Sequence, residues 1–325
     1  MNPKENVHRI LQFNNPERIV MRAPAHNVAY LGCNHEGYQG GGHHLPVGSS
    51  WIDIWGTHWR REQEGVMGFP VGNPLSDLVN GLKTFQPPNP DDQRLCTQIY
   101  TQAEGWDRDV QFLAGSHRDT LWEKSYMLVG MENMLVYFLS EPGAVHELLH
   151  LIMDFQLGIA RHYLEVGIEI ANFSDDLGMQ NRLLLSPRII QEFLVQEYHR
   201  LFDLYRSNGV IINFHSCGHI QPLLETFIEL GVNILNPLQA TANDLDEVRR
   251  VTQGRMALQG GVRSDVIVNG PTQAIRHEVA QRIGQLGRHG GYFCAEDQGM
   301  LWPEEHYQAL ELAVEEFGMY PIQVS

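Results

Sequence analysis

His215 and Cys217 stand two residues apart in the run Asn213–Ile220, NFHSCGHI. The run follows the apolar triplet Val210-Ile211-Ile212 and is bounded by Asn208-Gly209 and Gly218, the pattern of a buried strand. Alternation along a strand puts His215 and Cys217 on one face at its C-terminal end. An imidazole and a thiolate so placed supply two of the three protein ligands of an open zinc site. A substrate thiol in the remaining position loses its proton and becomes a nucleophile at neutral pH. A bound water could instead be activated for hydrolysis, where His and carboxylate ligands are more usual. Both residue types are also common inside satisfied cores, so the pair needs support from the rest of the chain.

The elements that must position the pair read as strand–helix units. Strand candidates are Asn27–Gly32, Trp51–Gly56, Asp109–Gly115, Gly167–Phe173, Val210–Phe214, Val232–Leu238, Arg255–Val262 and Gly291–Ala295. An amphipathic helix precedes them within Met1–Ile19. Helical patterns cover Thr120–Leu139, Gly143–Glu165, Pro187–Arg206, Pro222–Leu230, Asp244–Thr252, Thr272–Arg288 and Pro303–Phe317. Ser186-Pro187 and Gly270-Pro271-Thr272 mark helix starts, and Glu304-Glu305 puts carboxylates at the positive end of a helix dipole. Strict alternation predicts a parallel sheet, and eight units predict a single α/β domain over residues 1–325, a (β/α)8 TIM barrel. A doubly wound sheet is the alternative, but no Gly-x-Gly-x-x-Gly follows a strand. Gly37–Ser50 and Thr57–Arg108 are long excursions expected over the C-terminal face as a lid.

In such a barrel the chemistry lies at the strands' C-terminal ends. Those ends carry Cys33-Asn34-His35-Glu36, Trp55 and Trp59, His117, Ser174-Asp175-Asp176, His215-Ser216-Cys217 and Cys294-Ala295-Glu296-Asp297. Trp55, Trp59, His117 and Asp176 are expected to line one cavity in front of His215. Asp176 and His117 are the catalytic candidates, and Trp55, Trp59, Cys33 and His35 those for substrate contact. Asp175 or Asp176 could equally cap the turn that follows it, and the tryptophans could simply pack. Cys96, beside Leu95 and Ile99 in a helical stretch, reads as structural. Cys294 is the expected third metal ligand because the eighth strand ends at the same mouth. Glu296, Asp176 or Cys33 could take that place.

Composition narrows the partners. A net charge of −16 and a pI near 5.4 argue against nucleic acid and polyanionic membrane surfaces. No stretch approaches the roughly 18 uninterrupted apolar residues of a membrane span, and the N-terminus lacks the apolar run of a signal peptide. Four scattered cysteines form no disulfide framework, so a reducing cytoplasm is the expected compartment.

The sequence resembles the uroporphyrinogen decarboxylase superfamily, and within it the corrinoid-linked methyltransferases. The resemblance rests on NPKENVHRILQFNNPERI, DIWGTHW, LWEKSYMLVGMENML, FSDDLGMQNRLLLSPRIIQEF, NFHSCGHIQPLLETFIELGVNILNPLQ, LQGGVRSDVIVNGPTQAIRHEV and GGYFCAEDQG. It implies a (β/α)8 barrel. It also implies that a His-x-Cys pair after the fifth strand and a Cys near the eighth hold zinc. That zinc activates a thiol or similar acceptor for a methyl group delivered by a methylcobalamin protein. His215 and Cys217 match this motif. The last cysteine does not, since an ungapped register places it near Gln298, with Cys294 four residues earlier. The decarboxylase branch, which holds its tetrapyrrole with an arginine pair after the first strand, is the competing reading. Here MRAPAHNVAYLGCNHEG offers only Arg22. A non-catalytic partner of a corrinoid protein is the third.

Overall fold

Apolar residues at alternate positions of short, parallel runs generate the central layer. The computed structural model of the protein describes residues 1–324. In chain order its strands are β1 (Ala25–Val28), β2 (Ser50–Ile52), β3 (His58–Arg60), β4 (Phe69–Gly72) and β5 (Phe112–His117). β6 (Ile170–Ser174), β7 (Ile211–His215), β8 (Ile234–Leu238), β9 (Ala257–Val262) and β10 (Tyr292–Glu296) follow. Seven of them pair in parallel in the order β1-β5-β6-β7-β8-β9-β10, while β2, β3 and β4 form a separate antiparallel sheet. Crossover helices connect the parallel strands, among them Pro142–Glu165, Val195–Ser207, Leu245–Thr252 and Thr272–Leu286.

The seven strands curl in the manner of a TIM barrel. Phe112, Ala114, Ile170, Ile234, Ala257 and Phe293 meet in one inner cluster, which Ala25 and Val20 join from the chain's first strand region. The helix Pro3–Leu11 plugs this end with Val7 and Ile10, and its start is set by Asn2, whose side chain accepts from the Lys4 N–H. At the other edge, the Cys294 N–H of β10 donates to the carbonyl of Val20, which lies before β1, at 3.0 Å. The outer faces of the strands pack under the helices in a second, larger cluster. No helix among the described residues is long and apolar enough to cross a membrane.

One expected strand does not join the parallel sheet. The Trp51–Gly56 run forms β2 at its start, and Asp53 then accepts from the N–H groups of Trp55 and Thr57, which turns the chain back into β3. Its aromatic and β-branched composition correctly signals a strand but says nothing of which sheet it enters. The sheet therefore has seven paired strands among the described residues, not eight. The expected Thr120–Leu139 helix is two helices, Trp122–Val129 and Met131–Ser140, broken at Gly130.

Ile10 is fully buried in the plug. Ile10→Ala should lower unfolding stability by about 2–4 kcal/mol, read as a lower urea midpoint at unchanged slope.

Candidate metal centre

The inner faces of β5, β6, β7 and β8 change from apolar to polar along their length. Above Ile170, Ile211 and Ile234 stand Asn172, Ser174, Asn213, His215 and Asn236. They open into a cavity of about 730 Å3, roofed by Trp59, Met67, Phe69, Pro70, Tyr126 and Met127. Arg118, Asp119 and Asp176 put charged groups on its wall, and Glu123 adds a carboxyl.

Asp176, His215 and Cys217 offer one donor atom each, all within 4.8 Å of one another. His215 Nε2 lies 3.3 Å from Cys217 Sγ and 3.6 Å from Asp176 Oδ1. Donors bound to one tetrahedral zinc at about 2.0–2.3 Å lie roughly 3.3–4 Å apart, so these spacings fit a single ion. The imidazole is oriented for it: Nδ1 lies 3.1 Å from Asn236 Oδ1, and Nε2 faces the other two groups. Burial first, then the Asp176 charge, pushes the Cys217 thiol up to about 12, so metal must displace its proton.

Two loops are stitched together to bring these groups into reach. The Cys217 N–H donates to Asp176 Oδ1 at 2.8 Å, the Leu177 N–H to Ser216 Oγ at 3.0 Å, and the His219 N–H to the Met179 carbonyl at 2.7 Å. Gly218 sits at φ +83°, and a Cβ there would fall 2.5 Å from the Gly178 carbonyl carbon. Only glycine permits that crossing. Asp175, one residue before Asp176, has a different task. It is buried, and its carboxylate accepts from the Leu121 and Glu123 N–H groups and the Tyr198 hydroxyl, capping the helix Trp122–Val129.

Trp59, Cys33 and Asp176 line the cavity with His215. Cys33 has its thiol on the Ser116 carbonyl at 3.3 Å, and burial pushes it up to about 12, so it is an inert wall. Four expectations are corrected. Cys294 is not in the donor cluster. Phe293 faces the barrel interior, so alternation turns Cys294 outward, fully buried beside Tyr292 and the Glu278 and Arg282 helix. His117 borders the cavity, but its ring lies on the helix side between Gln156 Oε1 at 2.7 Å and the Tyr205 hydroxyl at 2.6 Å, stacked on Phe173. Burial brings it down to about 4, a neutral strut with no free nitrogen for catalysis. Trp55 packs edge-on against Phe155, away from the cavity.

His35 is also buried away from the cavity. Gly68 N–H donates to His43 Nδ1 at 2.8 Å, His43 Nε2–H to His35 Nδ1 at 2.6 Å, and His35 Nε2–H to Asp119. With Trp59 stacked on its ring, His35 latches the Gly37–Ser50 excursion to the cavity wall. Against burial, which alone would raise it, the hydrogen bond from His35 holds the Asp119 carboxyl low.

Sequence reasoning missed Glu123, Tyr126 and Asn236. Burial, then the charges of Asp119, Asp175 and Asp176, raises the Glu123 carboxyl far enough to keep it protonated at neutral pH. Asn236 was detectable as a polar residue at an inward position of an apolar strand. Gln298, where the resemblance would put the last cysteine, has its side-chain amide 3.4 Å from Gln239 Oε1.

Fold and site together define a TIM-barrel-like α/β protein with a mixed nitrogen, sulfur and oxygen donor cluster at its mouth. A model of the uroporphyrinogen decarboxylase (URO-D) family matches residues 122–317, more than half of the chain and inclusive of all three donors. The chain belongs to that family. No curated protein matches it. Among solved structures, a methyltransferase from Methanosarcina mazei superposes with a TM-score of 0.73 over 98% of this chain and 99% of that one, at 17% identity. That likeness establishes the fold. A B12-independent methionine synthase from Shewanella sp. W3-18-1, in complex with selenomethionine, reaches 0.37 at 8% identity over 68% and 63% of the two chains. D-psicose 3-epimerase with D-tagatose, from Clostridium cellulolyticum H10, reaches 0.39 at 9% identity over 75% and 90%. Scores of that size carry no argument.

The outward placement of His117 is testable by pH. Its folded pKa of about 4 lies below the unfolded value near 6.5, so the unfolded chain holds the extra proton between them. Stability is therefore lost as pH falls from 6.5 to 4, by up to about 3 kcal/mol from this residue. The urea midpoint should fall more steeply over that window in the wild type than in His117→Gln; parallel curves would show a ring free to charge.

Proposed function

We propose that the protein is a zinc-dependent methyltransferase that moves a methyl group between a corrinoid and a small thiol-type acceptor or methyl donor. A partner protein would carry the corrinoid. The mutual spacing of the Asp176, His215 and Cys217 donors carries this reading. A site with one thiolate, one imidazole and one carboxylate suits zinc and leaves a position open for substrate. Bound there, zinc supplies Lewis-acid chemistry that makes a thiol or similar group nucleophilic at neutral pH.

The chain's own residues do the rest. His215 presents Nε2 to the point that the Cys217 sulfur and the Asp176 carboxylate also face. Asp176 anchors the Cys217 backbone while offering its carboxylate to the same point. Trp59, Phe69, Met67 and Met127 give the substrate an apolar roof that excludes water, and the protonated Glu123 carboxyl stands in the wall as a hydrogen-bond donor. The third ligand proposed here is Asp176 in place of Cys294, because its carboxylate lies within reach of both other donors.

A decarboxylase acting on a many-carboxylate tetrapyrrole is less well supported. The one arginine available from the start of the barrel, Arg22, is paired with Glu296. The cavity carries the Asp119 and Asp176 carboxylates beside the single Arg118, a poor match to a polyanion.

Purified protein should contain one equivalent of zinc. His215→Ala, Cys217→Ala and Asp176→Ala should each lose it, together with methyl transfer between methylcobalamin and a thiol, while Cys294→Ser should keep both. Zinc retained in the three alanine variants, or lost in Cys294→Ser, would contradict the assignment. A zinc-loaded protein without methyl transfer would point to the non-catalytic partner role, and metal-free turnover of a porphyrinogen to the decarboxylase.

A further inference from the structure

Behind His215 runs a chain of side-chain amides that no part of the proposed chemistry uses. Strand register places His215 directly beside Asn236, and Asn172 directly beside Asn213. Asn236 Nδ2 lies 2.7 Å from Asn213 Oδ1 and 3.3 Å from the Phe214 carbonyl oxygen. Asn213 Nδ2 lies 2.9 Å from Asn172 Oδ1, and Asn172 Nδ2 lies 3.4 Å from Asn27 Oδ1.

The direction of every bond follows from one fixed group. The Phe214 carbonyl can only accept, so the end of the Asn236 amide that faces it must be the NH2 group. The Asn236 oxygen is then the atom facing His215, and an oxygen of this kind can only accept. His215 must therefore donate from Nδ1, and its Nε2 is left as the unprotonated nitrogen. That nitrogen is the one 3.3 Å from the Cys217 sulfur and 3.6 Å from the Asp176 carboxylate. Asn213 and Asn172 keep the Asn236 amide from rotating, since each accepts with its oxygen and donates onward with its nitrogen.

We infer that Asn236 is a positioning residue, which, backed by Asn213 and Asn172, locks His215 in the Nδ1–H tautomer and so prepares Nε2 as a metal donor before any metal arrives. This rests on the proposed zinc site, where the orienting partner of a ligating histidine sets its tautomer and ring plane. Without that partner the ring can rotate and carry its proton on Nε2, and zinc then has to displace both.

Two measurements test it. The 15N–1H long-range correlation spectrum of metal-free wild-type protein should show His215 protonated at Nδ1, and Asn236→Leu should shift the ring toward Nε2–H. In a competition titration of zinc ion against a chromophoric chelator, Asn236→Leu should bind one zinc with about 10–100-fold lower affinity, and Asn213→Leu should show a smaller loss. His215→Ala serves as the no-site control. An Nε2-protonated ring in the wild type, or an Asn236→Leu affinity equal to the wild type's, overturns the inference. Failure of wild-type protein to bind zinc at all overturns the metal site instead, and the spectrum still decides the tautomer.

Discussion

The pleat of the parallel sheet is the constraint on which the site depends. Successive side chains on a strand point to opposite faces, so one parity enters the barrel and the other goes under the helices. Asn213 and His215 lie on the inward parity of β7, with Ile211 below them. On β5 the inward parity is Phe112, Ala114 and Ser116, which sends His117 outward to Gln156 and Tyr205. On β10 it is Phe293, which sends Cys294 outward as well. Residues of the right chemical type at the right end of a strand are thus divided into donors and struts by a single step of register.

Around that frame the loops supply what the strands cannot. Asp176 reaches the cluster because the loop after β6 crosses the loop after β7 at Gly178 and Gly218, with no room for a side chain between them. Asp175 anchors the same loop from below by capping the helix Trp122–Val129, and that helix carries Glu123, Tyr126 and Met127 to the cavity wall. The antiparallel sheet closes over the top. Asp53 holds Trp59 through its indole N–H at 2.9 Å, and Trp59 stacks on His35, which in turn reaches Asp119. Donor cluster, cavity wall and overlying sheet share partners, so each is positioned by the others.

Much of this was legible in the sequence. The strand–helix alternation identified the parallel α/β sheet, with seven paired strands in place of eight, and the two-residue period brought His215 and Cys217 to one point of the mouth. Asp176 was among the residues considered for the third place. Where the sequence misled, the reason was long-range. Trp51–Gly56 has strand composition, yet its partners lie in β3, and local propensity does not name a partner. Cys294 was preferred as a ligand because the eighth strand ends at the same mouth, although the parity that puts Phe293 inside turns it outward. His35 and Trp55 sit at a strand end, but their loops fold back on themselves and bury both. The asparagines of β6, β7 and β8 were passed over because no local motif marks an amide whose role is to orient a neighbouring ring.

The central claim is a mononuclear site with one sulfur ligand. Zinc K-edge X-ray absorption of the purified protein reads this directly. The account predicts a single sulfur scatterer at about 2.3 Å, with the remaining neighbours nitrogen and oxygen at about 2.0–2.2 Å, one of them showing imidazole multiple scattering. Two or more sulfur neighbours, or a spectrum of zinc coordinated only by water and carboxylate, would contradict it.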